Sequence, residues 1–228
     1  MILPPEKLYE YRFRSALLSK GISSDPLYSA VISKIKNKNG HLLEFGAGRG
    51  ALLERVRSDG FCGEITAVDI LPVPENLPDQ FKWIQCDLNN PINLRDETFD
   101  LIISTEVIEH LENPRSVFRE FNRLLRPGGE VIVTTPNNES MRSYLSLVLR
   151  GHFASFQDSC YPAHITALLR KDIIRVCSET GFEHPRFDYT NNGGIPGFPH
   201  ISWQKISFNL LKGRLFSDNI LAMTSKLP

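Results

Sequence analysis

At 228 residues, with a hydrophobic fraction of 41%, the chain is long enough to bury a sizeable core within one domain. Lysine plus arginine and aspartate plus glutamate both number 26, so no global basic field draws the protein to nucleic acid, and no DNA partner is expected. The four cysteines, Cys62, Cys86, Cys160 and Cys177, form no CxxC pair, which leaves zinc and redox-dithiol chemistry without support.

The opening MILPPEKLYEYRFR places prolines and charges where a signal peptide needs an apolar run, and no stretch is apolar for long enough to span a bilayer. A cytoplasmic protein without stable membrane insertion is expected; the sequence leaves its oligomeric state open. Past this polar section, His41–Phe45 runs into glycines and reads as a buried strand, and Ala51–Ser58 carries Leu52, Leu53 and Val56 on one helical side. Strands are predicted at Glu64–Asp69, Lys82–Cys86, Leu101–Ser104 and Glu130–Thr135. Between the last two, Val117, Phe118, Phe121, Leu124 and Leu125 recur at helical spacing until Arg126-Pro127-Gly128-Gly129 stops the helix. A helix over Lys171–Thr180 follows, then a strand over Phe182–Tyr189, the Gly/Pro-rich NNGGIPGFPH, a helix from Ser202 to Lys212 and a last strand at Asn219–Ser225. Such alternation predicts parallel βαβ units in a doubly wound α/β sheet covered on both faces.

No linker divides the chain, so a single domain over 1–228 is expected, with a helical N-terminal cap at 1–38, a binding core at 39–136 and lid insertions plus the C-terminal strands at 137–228. Within the insertions, 141–165 and 193–212 interrupt the alternation and are expected to form a substrate lid. Met141–Leu149 and Trp203–Leu211 are amphipathic with few charges, which fits lid and core packing or a membrane-surface role.

Glu44-Phe45-Gly46-Ala47-Gly48-Arg49-Gly50 follows a strand and opens a helix, the place where glycines let the backbone approach a ligand closely. Gly46-x-Gly48-x-x-Ala51 also satisfies a dinucleotide fingerprint, so a nicotinamide-dependent oxidoreductase stays in play at this point. Two acids favour another cofactor. Glu44 sits within the strand end, where a buried carboxylate needs a partner such as a ligand ammonium, and dinucleotide fingerprints usually carry an apolar residue there. Asp87 ends the strand after next and can accept from an adenine amine lying between Ile70 and Leu88; its bland alternative is an Asx turn before Asn89-Asn90-Pro91. Asp69, at the end of the intervening strand, can take two ribose hydroxyls with either cofactor.

In order, LLEFGAGRG, AVDI, QCDLNNP, FDLIISTEVIEHL and RLLRPGGEVIVTTPN resemble the class I S-adenosylmethionine-dependent methyltransferases, in the style of the small-molecule branch that holds the ubiquinone-pathway O-methyltransferases. The resemblance covers about residues 40–136 and, less fully, the strand ending at Ser225. It implies a Rossmann-like, seven-stranded, mostly parallel sheet whose last strand is antiparallel. It also implies S-adenosylmethionine as cofactor, held by Glu44, Gly46, Ala47, Gly48, Gly50, Asp69, Ile70, Asp87, Leu88 and Ser104. Methyl transfer to a small-molecule hydroxyl by in-line displacement is the implied activity. A non-catalytic relative with this fold is the alternative from another class, and the intact cofactor positions speak against it.

Thr105-Glu106-Val107-Ile108-Glu109-His110 follows the strand Leu101–Ser104. If Glu106 opens a helix, Glu106, Glu109 and His110 share one face. His110 is a candidate base, and His164 in YPAHIT a second one. The spacing resembles the metal-binding element of ubiquinone-pathway and small-RNA 2′-hydroxyl methyltransferases, in which His164 would complete the site, and so a metal-dependent RNA enzyme is a further alternative. Many relatives carry a similar Glu-His-Leu element without a known metal, and no metal is assigned. Arg12 and Arg14 are weaker candidates for a methionine carboxylate.

Overall fold

The computed structural model describes residues 4–228. Two N-terminal helices, α1 (Pro5–Leu18) and α2 (Asp25–Ile32), precede β1 (His41–Phe45), α3 (Ala51–Ser58), β2 (Glu64–Asp69), β3 (Lys82–Gln85) and β4 (Phe99–Thr105). There follow α4 (Pro114–Leu124), β5 (Leu125–Pro136), α5 (Met141–Arg150), α6 (Arg170–Glu179), β6 (Arg186–Tyr189), the hairpin of β7 (Gly194–Ile195) and β8 (Phe198–Ser202), the short α7 (Trp203–Ile206) and β9 (Asn219–Ser225). The main sheet has seven strands in the order β3-β2-β1-β4-β5-β9-β6. β9 runs antiparallel between β5 and β6, and the pairings among β1–β5 are parallel. This is the doubly wound α/β sheet that the alternation predicts.

Period-two alternation assigns the two faces. Leu43, Phe45 and Ile102 point to one core with Phe118 and Phe121 of α4 and Ile173 and Val176 of α6. Leu42, Leu101 and Ile103 point to the other, with Leu27 and Val31 of α2 and Leu52, Leu53 and Val56 of α3. Phe45 and Phe121 meet edge to face at 4.8 Å, so β1 and α4 are locked together directly under the glycine loop. Asn113 caps α4 by accepting from the Ser116 amide at 3.1 Å, and Pro114 occupies the first turn, where no amide is required.

Several elements differ from the sequence expectation, β5 among them: it begins at Leu125 and not at Glu130, so Arg126-Pro127-Gly128-Gly129 lies within the strand. The helix expected over Ser202–Lys212 ends at Ile206, because Phe208 and Asn209 turn left-handed (φ +50° and +63°) and the Gln204 side chain takes the carbonyls of Leu211 and Phe216, both at 2.8 Å. NNGGIPGFPH is not plain loop but supplies the hairpin β7–β8. The strand expected from Phe182 begins at Arg186, with Phe182 reduced to a single bridge to Lys226; Pro185, which has no amide to pair, lies between them. Among the described residues, no helix is long and apolar enough to cross a membrane.

Candidate active site

The carboxyl ends of β1, β2 and β4 open onto a cleft of about 410 Å³, at the strand edge where a doubly wound sheet takes its ligand. Gly46 and Gly48 both have positive φ (+83° and +55°), and the space in front of each is filled by the chain itself. A Cβ on Gly46 would lie 2.3 Å from Val107, and one on Gly48 would lie 2.4 Å from the Gly21 carbonyl oxygen. The glycine loop thus lets the segment before α2 close over β1.

Three acids stand along the cleft in different states. Asp69 is tied to the backbone: its carboxylate accepts from the Gly48 amide at 2.7 Å and the Leu71 amide at 2.8 Å. Burial nevertheless raises its pKa above the ordinary carboxylate range. Glu44 is buried with one carboxyl oxygen, Oε2, lacking any partner; burial, and then the neighbouring Asp69, hold its pKa well above that range. Such a group is protonated until a cation arrives. Asp87 is already saturated, with Arg12 at 2.5 Å, the Asn89 amide at 3.0 Å and the Asn89 and Asn90 side chains at 3.2 and 3.1 Å. Asp87 thus forms the Asx turn that Asn89-Asn90-Pro91 allows. Arg12 bridges Asp87 and Glu112 instead of standing free for a carboxylate, and Arg14 pairs with Glu10 on an exposed face.

Glu106, Glu109 and His110 do not share a helix face. Glu106 adopts φ +54°, and only a single 3₁₀ turn, Ile108–His110, follows. The reason is tertiary. The Glu106 amide donates to the Thr134 carbonyl at 3.2 Å, and its carboxyl accepts from Thr134 Oγ1 at 3.2 Å and Asn219 Nδ2 at 2.7 Å, which pins it to β5 and β9. Glu109 is wholly buried; Oε2 accepts from Thr135 Oγ1 at 3.2 Å while Oε1 has no partner, and burial pushes its pKa up to about 8. His110 Nδ1 lies 2.7 Å from the Ala163 carbonyl oxygen. A carbonyl only accepts, so in the neutral ring the proton sits on Nδ1 and the lone pair on Nε2. Burial lowers the pKa of His110, which favours that neutral ring. His164 lies edge to face with His110 at 4.9 Å, its Nδ1 unpartnered and its pKa lowered by burial and then by His110. One ligand atom each from Glu109, His110 and His164 falls within 4.8 Å of the others, so folding assembles a cluster that omits Glu106.

Of the twelve predicted site residues, Glu44, Gly46, Ala47, Gly48, Asp69, Ile70, Asp87, Leu88, His110 and His164 line the cleft. Gly50 and Ser104 do not. Gly50 begins α3 against Leu77, and Ser104 projects from the opposite face of β4 to Thr105, which lines the cleft with its hydroxyl unpartnered. Residues 193–212 do not line the cleft; its cover comes from α1 and the Gly21–Tyr28 segment, with Pro162, His164 and Ile165. Tyr11, Ser15 and Tyr28 carry no motif, so only their position in the folded chain reveals them.

A twisted seven-stranded sheet with one antiparallel strand, and a cleft whose acids end successive strands, define the class I fold of nucleoside-cofactor methyltransferases. The Methyltransferase domain family matches residues 22–184, and the chain belongs to that family. It is similar to the ubiquinone-pathway O-methyltransferases and is a domain of the S-adenosylmethionine-dependent kind. The rat mitochondrial ubiquinone biosynthesis O-methyltransferase is 30% identical over 126 residues, which are 50% of this chain and 35% of that protein. The chain thus spans about a third of that relative's length. The Coxiella burnetii ubiquinone biosynthesis O-methyltransferase is 24% identical over 169 residues, 67% of this chain and 71% of that protein. Among solved structures, the Burkholderia thailandensis 1,6-didemethyltoxoflavin-N1-methyltransferase, with bound 1,6-didemethyltoxoflavin and S-adenosylhomocysteine, superposes with a TM-score of 0.63. At 13% identity over 100% of this chain and 93% of that one, the likeness is one of fold.

Proposed function

We propose that the chain methylates a hydroxyl of a small molecule, using S-adenosylmethionine, with His110 as the base. When bound, the cofactor supplies a methyl on a sulfonium, an electrophile already activated. The rest is the chain's work. Glu44 Oε2 receives the ammonium, Asp69 the ribose hydroxyls, and Ile70 and Leu88 the adenine faces. Asp87 is held by Arg12 and reaches an adenine amine only if that pair opens. The observation that carries O-methylation is the His110 ring: its Nδ1 proton is committed to Ala163, which leaves the lone pair of the neutral ring on Nε2, in a residue that lines the cleft, to take a hydroxyl proton. The relatives support this reading as ubiquinone biosynthesis O-methyltransferases, at 30% and 24% identity.

A divalent cation fits the same corner. Glu109 Oε1 and His164 Nδ1 are buried without a partner, and a cation there would replace the proton that burial holds on Glu109. Glu109, His110 and His164 would hold it, and it would lower the pKa of a hydroxyl placed beside it.

The test is S-adenosylhomocysteine formation with a panel of phenolic and aliphatic alcohols, each against the matching amine, with the methylated position identified by mass spectrometry. His110→Ala is expected to lower kcat by about a hundredfold or more with unchanged S-adenosylhomocysteine affinity. Methyl found on nitrogen alone, or full turnover by the variant, overturns the assignment of the base. Full activity in EDTA excludes the cation. A thermal shift with NADH and none with S-adenosylhomocysteine would remove the cofactor assignment itself.

A further inference from the structure

We propose that the face formed by α5 and the Phe198–Phe216 arm docks on an anionic lipid bilayer, with the chain lying on the surface and not crossing it. Phe208, Leu210, Val148 and Leu149 are 90%, 83%, 80% and 77% exposed, the four most exposed large apolar side chains among the described residues. All four lie in these two segments, and isolated apolar residues elsewhere would need no such explanation.

The face is built, not frayed. Phe208 and Asn209 hold left-handed backbone that bulky side chains avoid, and the turn is closed by bonds from the Asn209 amide to the Gln204 carbonyl (2.8 Å), the Leu210 amide to the Ser207 carbonyl (3.0 Å) and the Leu211 amide to Ser207 Oγ (3.0 Å). Gln204 ties this turn to Phe216, and the 3₁₀ turn Arg214–Phe216 packs on α5. Asn137, directly after β5, holds the carbonyls of Arg214 and Ser217 at 2.7 and 2.8 Å, so both segments ride on the sheet edge that bears the cleft.

Charge names the occupant. In a chain with equal numbers of acids and bases, no Asp or Glu occurs between Glu139 and Asp158 or between Asp188 and Asp218. Those stretches carry Arg142, Arg150, Lys205, Lys212 and Arg214. Arg142 pairs with Asp218 and Arg214 with Glu139, while Arg150, Lys205 and Lys212 have no ion-pair partner among the described residues. Exposed Phe, Leu and Val interleaved with free cations are what a headgroup layer accepts. A second copy fits less well, since a two-fold contact sets these cations against their own copies, and interface cores are depleted of lysine. The proposal does not depend on the nature of the methyl acceptor.

The experiment is flotation of the full chain with vesicles of phosphatidylcholine alone and of phosphatidylcholine containing about one quarter phosphatidylglycerol, at about 0.15 and 0.5 M salt. Binding is expected to the anionic vesicles only and to weaken with salt. Phe208→Ser with Leu210→Ser should reduce partitioning about tenfold or more, because two apolar anchors are lost. Each of Lys205→Gln and Lys212→Gln should reduce it about fivefold. Unchanged S-adenosylhomocysteine binding reports that the variants are folded. No binding to anionic vesicles, equal binding to both compositions, or full retention by the double variant overturns the proposal. So does a stable dimer in sedimentation that the double variant dissolves while vesicles bind neither form.

Discussion

Glutamine in place of Glu44 preserves the side-chain volume and removes only the capacity to ionise, so it isolates what a buried carboxyl with an unpartnered oxygen does. With its folded pKa held well above the usual value by burial and Asp69, Glu44 keeps its proton in the ligand-free protein after the unfolded chain has released it. Stability of that form is therefore complete below about pH 4.5, the unfolded value, and falls above it toward the folded pKa, by about 1.4 kcal/mol per pH unit. Glu44→Gln removes this slope, and the ligand-free variant should be at least as stable as wild type near pH 8. Binding behaves oppositely. The ligand ammonium requires the carboxylate, so over the same window wild-type affinity for S-adenosylhomocysteine should rise by up to about tenfold per pH unit with release of a proton. The variant should show no slope and bind about 2–5 kcal/mol more weakly, about thirtyfold to several thousandfold. Calorimetric titration at about pH 6, 7 and 8, in buffers of differing ionisation enthalpy, reads affinity and proton release together. Wild-type affinity in the variant with the slope intact, or a destabilised ligand-free variant, would refute the assignment of Glu44 to the ammonium.

Gly48→Val should cost about 3 kcal/mol or more and loosen the N-terminal segment, because its Cβ would lie 2.4 Å from the Gly21 carbonyl; hydrogen exchange at Gly21–Tyr28 checks this. Asp69→Ala should abolish S-adenosylhomocysteine binding in calorimetry, since it removes both the ribose acceptor and the bond that holds the Gly48 amide. Phe121→Ala should lower unfolding free energy by about 3–5 kcal/mol in urea titrations, with cofactor affinity reduced only to the extent that β1 shifts. In limited proteolysis, α1, which buries no residue and is held by Arg12 and by the Tyr11–Tyr161 hydrogen bond, should be cut first and be protected by S-adenosylhomocysteine.

Much of the site was legible because it is local. Glycines at a strand-to-helix turn, and an acid closing each of the next strands, occupy positions that a doubly wound sheet carries to one edge whatever the rest of the chain does. Ten of the twelve predicted residues reach that edge. The two that miss it show the resolution of such reading. Ser104 and Thr105 both end β4, and a period of two sends only one of them to the cleft. Arg12 stands out as a cation in the sequence, yet its partners, Asp87 and Glu112, are 75 and 100 residues away.

The chain by itself determined the βαβ order, the two apolar faces of the sheet and the glycine loop, since these follow from side-chain periodicity and from what glycine permits. Tertiary structure alone decided the state of each acid: Asp69 bonded to backbone, Asp87 saturated, Glu44 and Glu109 each left with a bare oxygen. It also decided that Glu106 leaves the helix expected of it, because Thr134 and Asn219 from other strands offer its amide and carboxyl more than another helical turn would. Ionisation and hydrogen bonding depend on neighbours brought from distant parts of the chain and on the water they exclude, and neither quantity is a property of sequence spacing.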